Sequence, residues 1–453
     1  MIAAISLQRL AKEQGWQYRG DDCLCDSIAT DSRTVKAGDV FVALSGDNFD
    51  AHTFVPQAVK EGAVAVVVSR PMDIDIGQLI VPDPRFALGI IARANRRQST
   101  ATVVGITGSA GKTTTKEMLA SILRQAVGEE QVLVTQGNFN NEIGVPLTLL
   151  RLEQQHRYAV VEMGAANQGD IAYLMQFAEP DVGVLLNAKA VHLEGFGSCD
   201  AVAQTKFEII SKLADGAFAV INRDTDYSAQ WLCDAARQKI QTATYSTQTS
   251  DATLWVSDIN DGFDASEFTL HHADQHCPVR IPVSGRHNIS NALAAATAAI
   301  QLALPLGVIV SGLEQFSAVD GRMKRYRTSQ GVLVIDDSYN ANPDAMCAAV
   351  DVLAKAPGRR IFVMGQMGEL GKDELHYHAQ VGRYAKSSNI DQFLTVGSLT
   401  QAAAQAYGED AQHFLNHRQL ITYLQGVLTF GDVVLIKGSR SSQMDIVVEG
   451  IIQ

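Results

Sequence analysis

The stretch TVVGITGSAGKTTTK, residues 102–116, constrains this chain more than any other, because an apolar run empties into a glycine-rich turn and then directly into Lys and Thr. That order predicts a buried strand, a tight loop and a helix in immediate succession. Val103, Val104 and Ile106 read as the strand, and Met118, Leu119, Ile122 and Leu123 as the apolar stripe of the helix. Between them Gly108 and Gly111 frame Ser109 and Ala110, so that backbone N–H groups can turn inward on a polyphosphate. Lys112 adds a point charge, Thr113 is placed to ligate magnesium, and Thr114 completes the loop. The helix aims its positive N-terminal end at the anion. ATP is the expected ligand. The spacing departs from the usual G-x-x-x-x-G-K-[ST], since Ile106 stands five residues before Gly111 and leaves G-x-x-G-K-T. An ordinary strand-to-helix turn would share the glycines, but GKT at the mouth of a strand and the head of a helix favours a nucleotide site. The loop does not say which reaction follows.

At 453 residues the chain is too long for one core, and about 150 residues per domain suggests about three. A hydrophobic content of 46% with 19% charged residues fits a chain that folds throughout. Acids outnumber bases, 49 to 37, which argues against broad binding to nucleic acid or anionic membranes. The opening MIAAISLQRLAKEQ carries Arg9 and Lys12 in an amphipathic helical pattern, neither signal peptide nor membrane span, so a cytoplasmic location is expected. Six scattered cysteines show no paired spacing that would suggest zinc or a disulfide framework. His271, His272, His276 and Cys277 lie in an alternating polar and apolar segment that reads as a surface strand pair rather than a metal site.

The expected fold class is α/β in three domains. Residues 1–85 form a small α/β domain with apolar runs at 40–44 and 64–68. Residues 86–319 form a central phosphate-loop domain with a mostly parallel sheet, its strands at 103–106, 158–161, 182–186 and 217–221, and an Ala-rich helix at 288–304. Residues 320–453 form a Rossmann-like domain with strands at 332–335, 361–364, 393–396 and 433–436, without a G-x-G-x-x-G fingerprint.

Open α/β sheets bind ligands at the carboxyl ends of their strands, and candidate chemistry gathers there. Glu162 closes the strand YAVVE and is read as a magnesium ligand, directly or through water. His192 follows the next strand and could reach the same cleft, although a lone histidine is more often structural. Lys206, on a predicted helix, would by default be a solvated lysine.

These residues, with the strings TDSR at 30–33, GNFNNEIGVPLTLL at 137–150, EMGA at 162–165, HLEGFGS at 192–198 and DDSYNANP at 336–343, resemble the Mur ligase superfamily, ATP-dependent amide-bond enzymes of peptidoglycan synthesis. The resemblance runs through all three expected domains. It implies an enzyme that joins D-alanyl-D-alanine to UDP-N-acetylmuramoyl-tripeptide through an acyl phosphate, releasing ADP and phosphate. It also implies two magnesium sites, one held by Thr113 and Glu162, the other by His192 and a carbamate formed from CO2 on Lys206, with Lys112 countering charge on the transferred phosphoryl group.

The resemblance extends to binding residues. Asn288 and Asn291 match positions near adenine, Arg322 an arginine brought to the phosphates, and Asp337 a nucleotide contact. Since Arg322 and Asp337 lie beyond the central domain, an open form that closes on its substrates is expected. Ser32, Arg33, Gly46, Asn48 and His52 resemble the UDP-binding region, with Asp50-Ala51-His52 in place of Asp-Gly-His. Asn138, Asn140 and Asn141 could donate hydrogen bonds to the muramoyl sugar or diphosphate, a turn-forming asparagine cluster being the plain alternative. Tyr339, Asn340, Asn342, Ser439 and Arg440 are the candidates for the dipeptide, Arg440 being equally readable as an ion-pair partner. A monomer is expected. A phosphate-loop kinase or motor-type ATPase would share the loop without needing the DDSYNANP string, and a non-catalytic nucleotide-binding scaffold is the remaining class.

Overall fold

The computed structural model describes residues 1–46, 49–191 and 193–452. Among the described residues the strands assemble into three main sheets of five, nine and six strands, with two small two-stranded pairs. The chain is a three-domain α/β protein built on largely parallel sheets.

The nine-stranded sheet is organised around Thr102–Thr107, which pairs in parallel with Tyr158–Glu162 on one side and Val182–Leu185 on the other. Beyond these lie Val132–Val134 at one edge and Phe218–Asn222, Gln241–Ser246 and Leu254–Asp261 toward the other, all parallel. Parallel strands covered by helices on both faces are buried on both faces, which is why this region reads as continuous apolar runs. Successive side chains point to opposite sides: Val103 joins the core shared with the first domain, while Val104 and Ile106 join the core under the helices Lys112–Val127 and Arg286–Gln301. The alanines of Arg286–Gln301 are all buried, so that little bulk separates the helix from its neighbours. The sheet ends in an antiparallel extension, Leu254–Asp261 with Ser266–His272 and Gln275–Ile281. His271 and His276 face each other across it, with His271 stacked on Trp255 at 3.8 Å between ring centres.

The first domain's sheet runs Gln17–Arg19, Gly77–Ile80, Ala65–Val68, Val40–Val42 and Ile28–Ala29, parallel except at its first pair. It is joined to the central sheet by the helix Pro84–Gln98, which Asp83 caps by accepting from Arg85 N at 2.8 Å. On that helix Phe86 packs edge-on against Phe177 and Trp16, and Gly89 lies so close to the Phe177 ring that a Cβ would meet it at 2.6 Å. One continuous apolar core therefore spans the two domains.

The third domain's sheet runs Lys324–Arg327, Leu333–Asp337, Val433–Lys437, Arg360–Met364, Gln392–Val396 and Ala411–Phe414, antiparallel only at the first pair. Both its edge strands are short and mixed in polarity, and neither is predicted from the apolar runs. Among the described residues no helix is long and apolar enough to cross a membrane.

Candidate functional site

The register of the central sheet sets Glu162 opposite Ile106, so its carboxylate emerges beside the start of the glycine loop. The loop turns into the helix Lys112–Val127 through Gly111, whose φ of +85° lies in the left-handed region. A Cβ at Gly111 would also sit 2.2 Å from Asn291 Oδ1, so backbone shape and space both require glycine. Gly108 is tight as well, with Leu186 Cβ 2.8 Å from where its Cβ would stand.

Behind the loop, Thr113 Oγ1 donates to Glu162 Oε2 at 2.9 Å and Asn140 Nδ2 donates to Glu162 Oε1 at 2.8 Å. Glu162 is only 2% exposed and its carboxylate oxygens are hydrogen-bonded by neutral groups, with the Lys112 ammonium acting on its charge through space. A buried carboxylate whose hydrogen-bond donors are neutral still favours a bound cation. Magnesium takes hard oxygen ligands and keeps several waters, so a hydroxyl and a carboxylate side by side fit it. Lys112 Nζ bonds back to Gly108 O at 2.8 Å. Desolvation pulls its pKa down, the Glu162 charge opposes that, and the Arg322 guanidinium adds to it.

Lys206 lies on the helix Cys199–Ser211, which Ser198 caps by accepting from Ala201 N at 3.2 Å. It is fully buried, with Nζ 5.7 Å from the centre of the Phe196 ring. Burial first, and repulsion from Lys112 second, pull its pKa down to about 7. As an ammonium it cannot ligate a cation, and as an unmodified lysine it does not fit a magnesium site. His192 lies outside the described residues.

A cleft of ≈ 800 Å³ opens above the loop, between the central and third domains. Ser109, Ala110, Gly111, Lys112 and Thr114 line one wall, Asn288 and Asn291 another, and Arg322, Asp337, Asn340 and Asn342 the wall from the third domain. Arg322 and Asp337, which lie beyond the central domain, share this cleft with the phosphate loop. Polar contacts across the interface hold this arrangement, Lys189 to Asp344 at 2.9 Å, Lys355 to Asp261 and Arg325 to Asp264.

Inside the cleft, Asn288 Nδ2 donates to Ser284 O at 2.7 Å and its Oδ1 accepts from Asn291 Nδ2 at 3.2 Å, so the two asparagines are fixed as a pair. Asp337 is paired with the buried Lys437 at 2.6 Å, and Lys437 also donates to Asn340 O at 2.9 Å. Asn342 caps the helix Pro343–Ala354 by accepting from Ala345 N at 2.8 Å. The Tyr339 ring has Arg322 at 4.5 Å and Arg440 at 6.0 Å. Arg440 is exposed and paired with Asp445 at 3.3 Å, while Ser439 is buried with its hydroxyl 3.1 Å from that of Ser441. Tyr339, Ser439 and Arg440 stand outside the cleft wall.

The other substrate candidates are largely engaged within the protein. Asn141 Oδ1 accepts from Gly144 N at 2.9 Å and so holds the start of the helix Gly144–Leu150, Asn140 is the partner of Glu162, and Asn138 is exposed. In the first domain Ser32 is buried, its hydroxyl 3.4 Å from Gln57 Oε1, and Arg33 is exposed and forks onto Asp31. His52 is buried; Ser69 N–H donates to its Nε2 at 2.8 Å, so Nδ1 carries the proton it shares with Asp50 at 2.6 Å. The Arg70 guanidinium beside Asp50 holds that carboxyl well below its usual range. Ala51, where a glycine is usual, opens the short turn Ala51–Phe54 without a left-handed φ, so alanine is tolerated. Gly46 lies on the strand pair Ser45–Gly46 with Phe49–Asp50, and Asn48 lies outside the described residues.

Among the cleft residues that the sequence does not single out are Asn187 and Lys437. Asn187 follows the strand Val182–Leu185 and accepts from Ala110 N at 3.0 Å, while its own amide donates to Ala110 O at 3.1 Å. Lys437 closes the strand Val433–Lys437. Each stands at the carboxyl end of a parallel strand, the same positional signal that singles out Glu162.

A phosphate loop on a parallel sheet, a buried carboxylate behind it and a second α/β domain completing the cleft define a three-domain, nucleotide-dependent enzyme. The chain belongs to the Mur ligase family: residues 25–125 match the Mur ligase family catalytic domain, 106–299 the Mur ligase middle domain, and 321–440 the Mur ligase glutamate ligase domain. It is 42% identical over 452 residues, 99% of both chains, to the UDP-N-acetylmuramoyl-tripeptide--D-alanyl-D-alanine ligase of Escherichia coli (strain K12). In structure it is similar to MurF from Acinetobacter baumannii, with a TM-score of 0.92 and 34% identity over 100% of this chain and 99% of that one. MurF ligase from Thermotoga maritima in complex with ADP gives 0.83 and 29%, over 94% and 96%.

Proposed function

We propose that this chain is the ATP-dependent ligase that joins D-alanyl-D-alanine to UDP-N-acetylmuramoyl-tripeptide, a cytoplasmic step of peptidoglycan precursor synthesis performed by a monomer. The observation that carries the reading is the convergence of the phosphate loop and the third domain on one cleft, in a chain whose whole length matches a ligase of this activity. Residues 1–85 bind the UDP end of the substrate through Ser32, Arg33, Gly46 and Asn48, with His52 held by Asp50 and Ser69 in the turn that follows in sequence. Residues 86–319 bind ATP, and residues 320–453 bind the dipeptide near Tyr339, Ser439 and Arg440.

A carboxylate does not yield to an amine in water until one of its oxygens becomes a leaving group. The tripeptide's terminal carboxylate attacks the γ-phosphorus, and ADP departs. The amine of D-alanyl-D-alanine then attacks the acyl carbon and loses a proton, and phosphate leaves as the amide forms. Lys112, Arg322 and the first amides of the helix Lys112–Val127 spread their positive charge over the phosphates, and much of the rate enhancement is positioning and charge stabilisation of this kind. Asn288 and Asn291 hold the base, and Asp337 the nucleotide from the opposite wall. Thr113 and Glu162 would hold one magnesium; a second would be held by His192 and by Lys206 as its carbamate. Bound magnesium supplies neutralisation of the triphosphate charge. The depressed pKa of Lys206 supports the carbamate, because the neutral amine is the form that adds CO2, and the product replaces a cation repelled by Lys112 with an anion attracted to it.

The test is product analysis by mass. ADP and phosphate should accumulate only when UDP-tripeptide and dipeptide are both supplied, with one amide per ATP. Turnover of ATP that ignores both substrates would overturn the reading. Labelled CO2 should give a carbamate signal in NMR that Lys206→Ala removes.

A further inference from the structure

The segment 187–189 stands between the phosphate loop and the third domain and touches both. On one side, Asn187 makes a reciprocal pair with the Ala110 backbone, and its own carbonyl accepts from Ser109 N at 3.1 Å. Ser109 Oγ in turn accepts from Lys189 N at 2.9 Å and donates to Lys189 O at 3.3 Å. Two consecutive loop residues are thus moulded on this segment rather than on each other. On the other side, the Lys189 ammonium pairs with Asp344 at 2.9 Å, in the first turn of the helix Pro343–Ala354. That helix begins immediately after Asn342, which lines the cleft together with Asp337 and Asn340.

We propose that Asn187 and Lys189 are positioning residues that couple the shape of the phosphate loop to the seating of the third domain. Asn187 fixes Ala110 so that the amides after it face the phosphates, and the Lys189–Asp344 pair draws the third domain's wall toward the same loop. Nucleotide affinity then depends on an ion pair between two side chains neither of which belongs to the phosphate loop. The role in turnover rests on the ligase reading; the role in nucleotide binding does not.

The experiment measures ADP affinity of the full chain by calorimetry, alongside KM for ATP and kcat. Asn187→Ala removes two hydrogen bonds from the loop and should weaken ADP about tenfold. The decisive variant is Asp344→Lys, which adds a cation to the cleft. A purely local charge effect would tighten ADP, whereas coupling through the ion pair weakens it, about threefold, with kcat changed less than KM. Lys189→Glu should weaken ADP as well, and the exchange Lys189→Glu with Asp344→Lys should restore affinity to near that of the parent. Unchanged or tighter ADP binding in Asp344→Lys, or no recovery in the exchanged pair, would overturn the proposal. Should Asn187→Ala fail to fold, the exchange alone decides. If the parent binds ADP but forms no amide, the ligase reading fails while these affinities still test the coupling.

Discussion

The central and third domains each carry a parallel sheet whose key strand ends in a buried, charged residue, Glu162 in one and Lys437 in the other. Their partners differ. Glu162 is held by a hydroxyl and an amide, donors that orient a carboxylate without cancelling its charge. Lys437 is held by the carboxylate of Asp337 and a backbone carbonyl, so its charge is spent inside the protein. A buried charge without an ion pair of its own has room for a counter-ion, and one already paired is a structural joint. The two strand ends look alike in position and differ in purpose.

Glu162→Gln is the sharpest way to break this contrast, since glutamine can still meet Thr113 and Asn140 but offers no charge to magnesium. Amide formation should fall about a thousandfold in kcat, with the unfolding midpoint little changed. A variant that stays active would remove Glu162 from the metal role. Lys437→Met should act on stability instead, by about 3 kcal/mol in denaturant unfolding, because Asp337 is left without its partner. Adding Asp337→Asn should recover part of that loss, and full stability in the single variant would show that the pair is not a joint. Asn140→Ala leaves Glu162 its charge but frees its orientation, so magnesium affinity should weaken about tenfold while ADP binding without metal is unaffected. Arg440→Ala is the mildest, within about 0.5 kcal/mol of the parent's stability, since its pair with Asp445 is exposed. A large loss of dipeptide affinity in that variant, with stability intact, would assign Arg440 to the substrate rather than to Asp445.

The parts legible in the sequence are those that short-range order writes. Val103, Val104 and Ile106, the glycines that follow and the stripe from Met118 to Leu123 lie within a few turns of one another, and the structure places each in the expected element. Glu162 is legible for a similar reason, as the residue that closes an apolar run. The antiparallel extension is harder to read, because one face of Ser266–His272 and Gln275–Ile281 is wet and their alternation carries less apolar signal. Residues assigned through the resemblance name chemistry but not surroundings: Asn141 holds a helix start and His52 is enclosed by Asp50 and Ser69. The enclosure of His52 is not visible in a string of letters, whereas the role of Asn141 matches the turn-forming alternative.

By itself, the sequence determined the strand, loop and helix that cradle a polyphosphate, the three-part α/β organisation and the family resemblance, because periodicity and turn chemistry act between near neighbours. Tertiary structure alone decided which polar groups are spent and which are free. Asn187 meets Ala110 across 77 residues, Lys437 meets Asp337 across 100, and Lys189 meets Asp344 across a domain boundary. Such pairs form only once apolar burial has brought distant strand ends together, and no local pattern encodes which partner will be waiting there.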